Sequence, residues 1–159
     1  MIPHWKSTWV EVPVTVQVAG AYEANDVVGG TLSCDAHNVK GGGYIHAVRL
    51  VDDATQAAAV KLWVFDAAPS TIADAAPHAP TEADHLKCIG IIPIAAADYN
   101  TDGTEADCAR VKGFDAASED YVVFDNLPNG KLYFRLVCDA TPTYADANDL
   151  TLHVCLMLM

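Results

Sequence analysis

A chain of 159 residues suits a single domain, large enough to bury a core without disulfide or metal staples. Hydrophobic residues make up 52% of it, in short runs that never approach the ~20 consecutive apolar residues of a membrane-spanning helix. The formal charge of −12, with acids scattered through polar stretches, would repel a phosphate backbone, so composition argues against nucleic-acid and membrane partners.

The first residues, Met1 to Lys6, lack the basic segment and long apolar core of a secretory signal, which predicts folding in a cytoplasm. Residues 1–8 read as an N-terminal arm and residues 9–159 as one domain. From Trp9 to Val18 every even position is valine, the alternation of a strand with one buried face. Pro13 cannot donate to a ladder and puts that strand at a sheet edge or at a local break in pairing. Trp5, as a large apolar anchor in the arm, with Trp9 and Pro13, are the interface candidates.

A second strand is expected near Val27 to Cys34, with Gly29-Gly30 tolerated as a bulge or a close backbone approach. After the glycine triplet 41–43, Tyr44 to Val51 and Ala58 to Phe65 read as two strands joined by a polar turn, a hairpin. From Asp66 to Asp84 the composition shifts to Ala, Pro, Ser, Thr and Asp, and Pro69, Pro77 and Pro80 rule out a long helix. Ser70 to Ala75 can form a helical turn, and Thr81 can cap another. Strands resume at Cys88 to Ile94, Cys108 to Phe114, Lys131 to Cys138 after the turn Asn129-Gly130, and Leu150 to Leu158, with Tyr121 to Phe124 as a further candidate. The expectation is an all-β fold, a single β-sandwich or jelly roll of about eight antiparallel strands with less than about 15% helix, with a closed barrel as the alternative.

High-specificity catalytic signatures are missing: there is no nucleophile elbow, no P-loop and no paired-histidine zinc helix. We therefore assign no catalytic residues and no cofactor, and expect a protein that is not an enzyme. The five cysteines are odd in number and widely separated, and read as free thiols. Cys34 with His37, and His78 with His85, lack the further ligands of a zinc site. Asp98, Asn100 and Asp102 open like a calcium loop, with Gly103 at the turn. The pattern then breaks, because Ala109 stands where the closing glutamate belongs, so ordinary turn chemistry is preferred and no metal is assigned.

The stretches Asp26 to Leu32, Ile45 to Asp52 and Leu62 to Asp74 resemble small proteins encoded in tailed-phage and prophage structural modules. Gly90 to Ile94 with Asp98-Tyr99, and Lys131-Leu132-Tyr133 through Thr141 to Tyr144, continue the likeness in order over nearly all of the chain after residue 20. Such proteins resemble head decoration or cement proteins. The resemblance implies a bacteriophage virion structural protein: a β-sandwich, made in the host cytoplasm, that binds the outer surface of the major capsid protein shell and stabilises it, often as a homotrimer. The residues 100–107 are variable in that group, and free thiols fit assembly in a reducing host cytoplasm. The expectation from a different functional class is a carbohydrate-binding adhesin module using the 98–107 loop and exposed aromatic residues.

Overall fold

A computed structural model of the chain describes residues 6–36, 42–102 and 105–158. Its strands are β1 (Lys6–Val12), β2 (Val27–Asp35), β3 (Gly43–Asp52), β4 (Val60–Phe65), β5 (Cys88–Ile94), β6 (Tyr99–Asn100), β7 (Asp107–Lys112), β8 (Val123–Phe124), β9 (Lys131–Cys138) and β10 (Leu150–Leu158). One short helix, α1 (Glu82–Lys87), and a 3-10 turn (Ala96–Asp98) complete the regular structure. The protein is all-β, with 49% strand and 6% helix.

Working inward from both ends of the sequence, β1 pairs with β10, β2 with β9, β3 with β7 and β4 with β5, all antiparallel. That nested pairing is one long hairpin rolled into two sheets, which is a jelly roll. One sheet runs β1-β10-β3-β7-β6 with β8 beside β3, and the other runs β2-β9-β4-β5. Their inner faces meet in a core that includes Val48, Leu50, Leu152 and Val154 from the first sheet and Leu62, Val64, Phe134 and Leu136 from the second.

The valine-rich first strand follows its alternation but stops pairing early. Val12, Val14 and Val16 are buried, whereas the ladder with β10 ends at Val12, because Pro13 has no N–H to continue it. The following residues leave the sheet toward β2, and Val14 comes to lie against Gly29, where a Cβ would sit 2.9 Å from its Cγ1. β1 also begins earlier than expected: Lys6, Ser7 and Thr8 pair with Leu158, Met157 and Leu156, so they belong to the sheet and not to an arm. Met1 to Trp5, including the candidate Trp5, lie outside the described residues.

Gly29 and Gly30, at φ 74° and 70°, interrupt the register of β2 with β9 between Val28 and Leu32, the bulge expected there. The expected hairpin of β3 with β4 does not form. β3 lies in the six-stranded sheet between β10 and its neighbours β7 and β8, while β4 pairs with β9 and β5 in the other sheet. Asp52 explains the difference. Its buried carboxylate accepts from the N–H groups of Ala54, Gln56 and Ala57, shaping an arch wide enough to step the ~10 Å between layers. Burial raises the Asp52 pKa, although those three N–H groups work against the rise.

The long connection after β4 packs over the outer face of the four-stranded sheet. Ala75 and Ala76 exchange backbone hydrogen bonds with Val27 at the start of β2, and the N–H of His78 donates to the Asn25 carbonyl. Thr81 caps α1 in a capping box with Asp84, as its position before an acidic turn suggests. Ser70 to Ala75 forms no helix; the side chains of Ser70 and Asp74 are used in contacts far along the chain. Asp74 accepts from the Tyr22 hydroxyl and the Gly29 N–H, fastening the connection to β2.

Candidate functional site

Two groups of polar and aromatic side chains stand on opposite outer faces of the sandwich. The first is sealed under the long connection. Arg135 of β9 is fully buried beside Trp63 of β4, its cross-strand partner. Its Nη2 donates to the carbonyl and hydroxyl oxygens of Ser70 and lies 3.7 Å from Asp84 Oδ2. Asp84 accepts from the Ser70 N–H at 2.7 Å, the Ser70 hydroxyl at 2.5 Å and the Thr81 N–H at 3.0 Å. Phe65 places its ring 5.1 Å from the guanidinium carbon of Arg135. His78, buried, lies 4.5 Å from the Trp63 ring centroid, and neither of its ring nitrogens has a hydrogen-bond partner. His85 approaches the same indole at 5.9 Å.

Burial pushes the Asp84 pKa up, but the donors from Ser70 and Thr81, with Arg135, outweigh it and hold the carboxyl well below the usual range. A carboxylate so stabilised is a poor proton acceptor, so the short contact holds Ser70 in place without priming it as a nucleophile. Burial, reinforced by the positive charge of Arg135, lowers His78 to about 4. The folded protein therefore keeps His78 neutral at pH values where the unfolded chain, with an ordinary pKa near 6.5, takes up a proton. Stability is complete above about pH 6.5 and falls as pH drops toward 4, by at most about 3 kcal/mol from this group. Asp84 adds a further loss below about pH 4, where the unfolded chain binds its proton first. Thermal melts between pH 7 and pH 4 should show a declining midpoint, and His78→Leu should flatten that decline.

The second group lies bare on the outer face of the six-stranded sheet. One row across four strands reads Glu11, His153, Arg49, Arg110, and the next reads Trp9, Cys155, Ala47, Lys112. Trp9 is 39% exposed, with the guanidinium carbons of Arg49 and Arg110 at 5.1 and 5.5 Å from its ring. The small side chains of Cys155 and Ala47 between the outer strands leave room for an indole to lie across the sheet. A bulge in β3 between Ile45 and Ala47 turns out His46, which stacks on Tyr121 at 5.8 Å. Tyr121 also meets Tyr44 at 4.8 Å and Phe114 at 4.6 Å, and Lys112 Nζ sits 5.2 Å from the Phe114 ring. Gly113 is needed for this turn, since a Cβ there would lie 2.0 Å from the Ile45 carbonyl oxygen.

The side chains thus form a strip from Trp9 through Arg49, Arg110 and Lys112 to Phe114 and Tyr121. Arg49, Arg110 and Lys112 make no ion pair among the described residues, in a chain with 21 acidic and nine basic residues. A groove of about 560 Å³ opens where the strip meets Pro93 of β5 and the loop after β7, and a second of about 250 Å³ lies between Lys112, His46 and Tyr121.

Of the interface candidates, Trp9 stands at one end of this strip, and Pro13 is exposed where the chain leaves β1. The calcium-loop residues serve the local backbone: Asp98 accepts from the Ala95 N–H at 2.7 Å, Asn100 from the Asp102 N–H at 3.0 Å. No group of three His, Cys, Asp or Glu side chains suited to a metal ion occurs among the described residues. Cys34, Cys138 and Cys155 are buried thiols, and burial pushes Cys34 and Cys138 up to about 12. His37 lies outside the described residues. Sequence reasoning missed Arg49, Arg110 and Lys112. The alternation of Arg110 and Lys112 along one strand, in a base-poor chain, was the available signal. No family model matches the chain, and no curated protein matches it.

Proposed function

We propose that this chain is a virion structural protein that decorates the outside of a capsid shell and stabilises it by adhesion, with no reaction involved. The observation that carries the reading is the strip of exposed Trp9, Arg110 and Lys112 with half-buried Arg49 on an otherwise acidic protein. An acidic body facing solvent keeps particles apart, while the cationic and aromatic strip supplies a contact surface. Tryptophan and arginine dominate the energetics of protein contacts when they become buried together. Copies joined as a homotrimer would add weak individual contacts through effective concentration on a repeating lattice.

Co-sedimentation with shells of the parent particle, stripped of their surface proteins, tests this. The wild-type chain should pellet with assembled shells and not with isolated capsid subunits, and Trp9→Ala should weaken pelleting roughly 10-fold or more, as removal of an interface anchor does. Equal recovery in the supernatant with and without shells would defeat the reading.

One observation favours the adhesin alternative. The cluster of Tyr44, His46, Phe114 and Tyr121 borders a groove, and jelly rolls also host lectins. Fold alone decides nothing here. Binding on a glycan array, without pelleting, would select that alternative.

A further inference from the structure

We infer that the free edge of β7 at Arg110–Lys112 is a strand-addition site for an extended, carboxylate-bearing segment of a partner protein. The inference rests on the adhesion reading and names the contact it would use. β7 has β3 on one side along its whole length. On the other side β6 reaches only Cys108 and Ala109, so among the described residues no strand pairs with Arg110, Val111 and Lys112 there. An unpaired stretch of edge is a ready template for a further strand, and proteins commonly cover or blunt such edges.

Here the 3-10 turn Ala96–Asp98 packs against β7 next to β6, and beyond it the edge at Val111–Lys112 borders a groove. Arg110, Val111 and Lys112 form one wall, and Pro93 of β5 with Phe114, Ala116 and Glu119 forms the other. A volume of about 560 Å³ accommodates several residues of extended chain. β5 cannot close the gap from its side at Pro93, which has no N–H.

The side-chain chemistry specifies what the incoming strand carries. Arg110 and Lys112 are two residues apart on one strand, so they project to the same outer face about 7 Å apart. An added antiparallel strand presents alternate side chains on that face at the same spacing. Glutamate or aspartate at those alternate positions would meet two cations that have no ion pair. The opposite side of the strand would face Asp98 and Glu119. Carboxylates are disfavoured there, whereas Thr or Val fit. The third carboxylate of that wall, Asp115, is occupied, accepting from the N–H groups of Ile91, Ala117 and Ser118. The recognised pattern is therefore acid, neutral, acid, neutral, read by the backbone through the edge and by two cations through alternate side chains.

The test uses the full chain, isotopically labelled, and three nine-residue peptides observed by NMR. One alternates Glu with Thr and Val, one has Gln in place of each Glu, and one carries Pro at its central position. The Glu peptide should shift amide resonances at 109–113, and its affinity should fall at least 5-fold in the Gln peptide and be lost in the Pro peptide. Arg110→Ala and Lys112→Ala, both at exposed positions, should each weaken it by 3-fold or more while leaving the melting temperature unchanged.

Equal binding of the Glu and Gln peptides, no binding, or shifts confined to other regions would overturn the inference. So would self-association, seen by sedimentation without peptide and abolished by Arg110→Glu with Lys112→Glu, because a second copy would then own the edge. Binding of an anionic oligosaccharide at these residues in preference to the peptide would overturn it too. If shells still pellet the Arg110→Glu, Lys112→Glu double variant as well as the wild type, the edge is not the contact. The inference then fails while the adhesion reading stands.

Discussion

Replacing Arg135 with alanine should destabilise the protein by about 3–5 kcal/mol, the cost typical of leaving one member of a buried ion pair without its partner. For a chain of this length that lowers the melting midpoint by roughly 6–20 °C. Arg135 and Asp84 have side-chain exposures of 0% and 1%, so solvent cannot take over the role of the missing partner. The variant leaves Asp84 ionised beneath the connection with only the Ser70 and Thr81 donors. Asp84→Ala should cost a comparable amount, since it strands a guanidinium whose Nε and Nη1 already lack partners. Replacing the pair together, Arg135→Met with Asp84→Leu, should recover much of the loss, because apolar side chains of similar volume often substitute for buried pairs without penalty. Urea titrations of the four proteins measure this directly. A loss below about 1 kcal/mol in both single variants, the range of exposed pairs, would mean the connection opens to water in solution.

The two outer faces use the same residue types in opposite ways. On the four-stranded sheet, Trp63 and Arg135 are neighbours with Phe65 nearby, and the connection closes over them. On the six-stranded sheet, Trp9 with Arg49 and Arg110, and Phe114 with Lys112, face solvent. What separates a structural clamp from a candidate contact surface is thus the cover, supplied by the segment 66–87, which includes α1. Changes at Arg135 should leave the exposed strip intact, and shell binding measured well below the melting midpoint should persist in the Arg135→Ala variant.

The strands themselves could be read from the sequence because period-two alternation is a local property. β9 and β10 span the residues expected of them, and the turn Asn129-Gly130 announces the start of β9. Which strands become neighbours is not local. β3 and β4 read as a hairpin, and nothing in their alternation says that they enter different sheets; that is settled by the carboxylate of Asp52 and by the competing partners β10 and β9. The same limit hid both polar clusters. Arg135 reaches Ser70 across 65 positions, and Trp9 meets Arg49 and Arg110 from three separate strands. Trp9 could be singled out as a large apolar residue near an edge, but its cationic neighbours become visible only once the jelly roll brings β1, β3 and β7 into one sheet.

Deleting β10 should abolish folding outright. β10 lies between β1 and β3, so its removal takes away both ladders at once, leaves β1 with no neighbour in its sheet and exposes one edge of β3. It also removes Leu150, Leu152, Val154 and Leu156 from the core, each no more than 3% exposed. Burying four such side chains contributes roughly 6–12 kcal/mol gross. That is as large as the whole net stability of a typical domain, about 5–15 kcal/mol. A chain ending at Asp149 should therefore show no cooperative melt and a far-ultraviolet spectrum without the strand minimum. Its failure to fold alone would not prove that these side chains are responsible, since the ladder is lost as well. Leu152→Ala separates the two: the backbone pairing is retained while one fully buried side chain is cut back, and the expected cost is about 2–5 kcal/mol with the cooperative transition preserved. Thr151→Ala, on the solvent side of the same strand, should change stability by no more than about 0.5 kcal/mol. A truncated chain that still melts cooperatively, or a Leu152→Ala variant no less stable than Thr151→Ala, would show that the core does not depend on this strand.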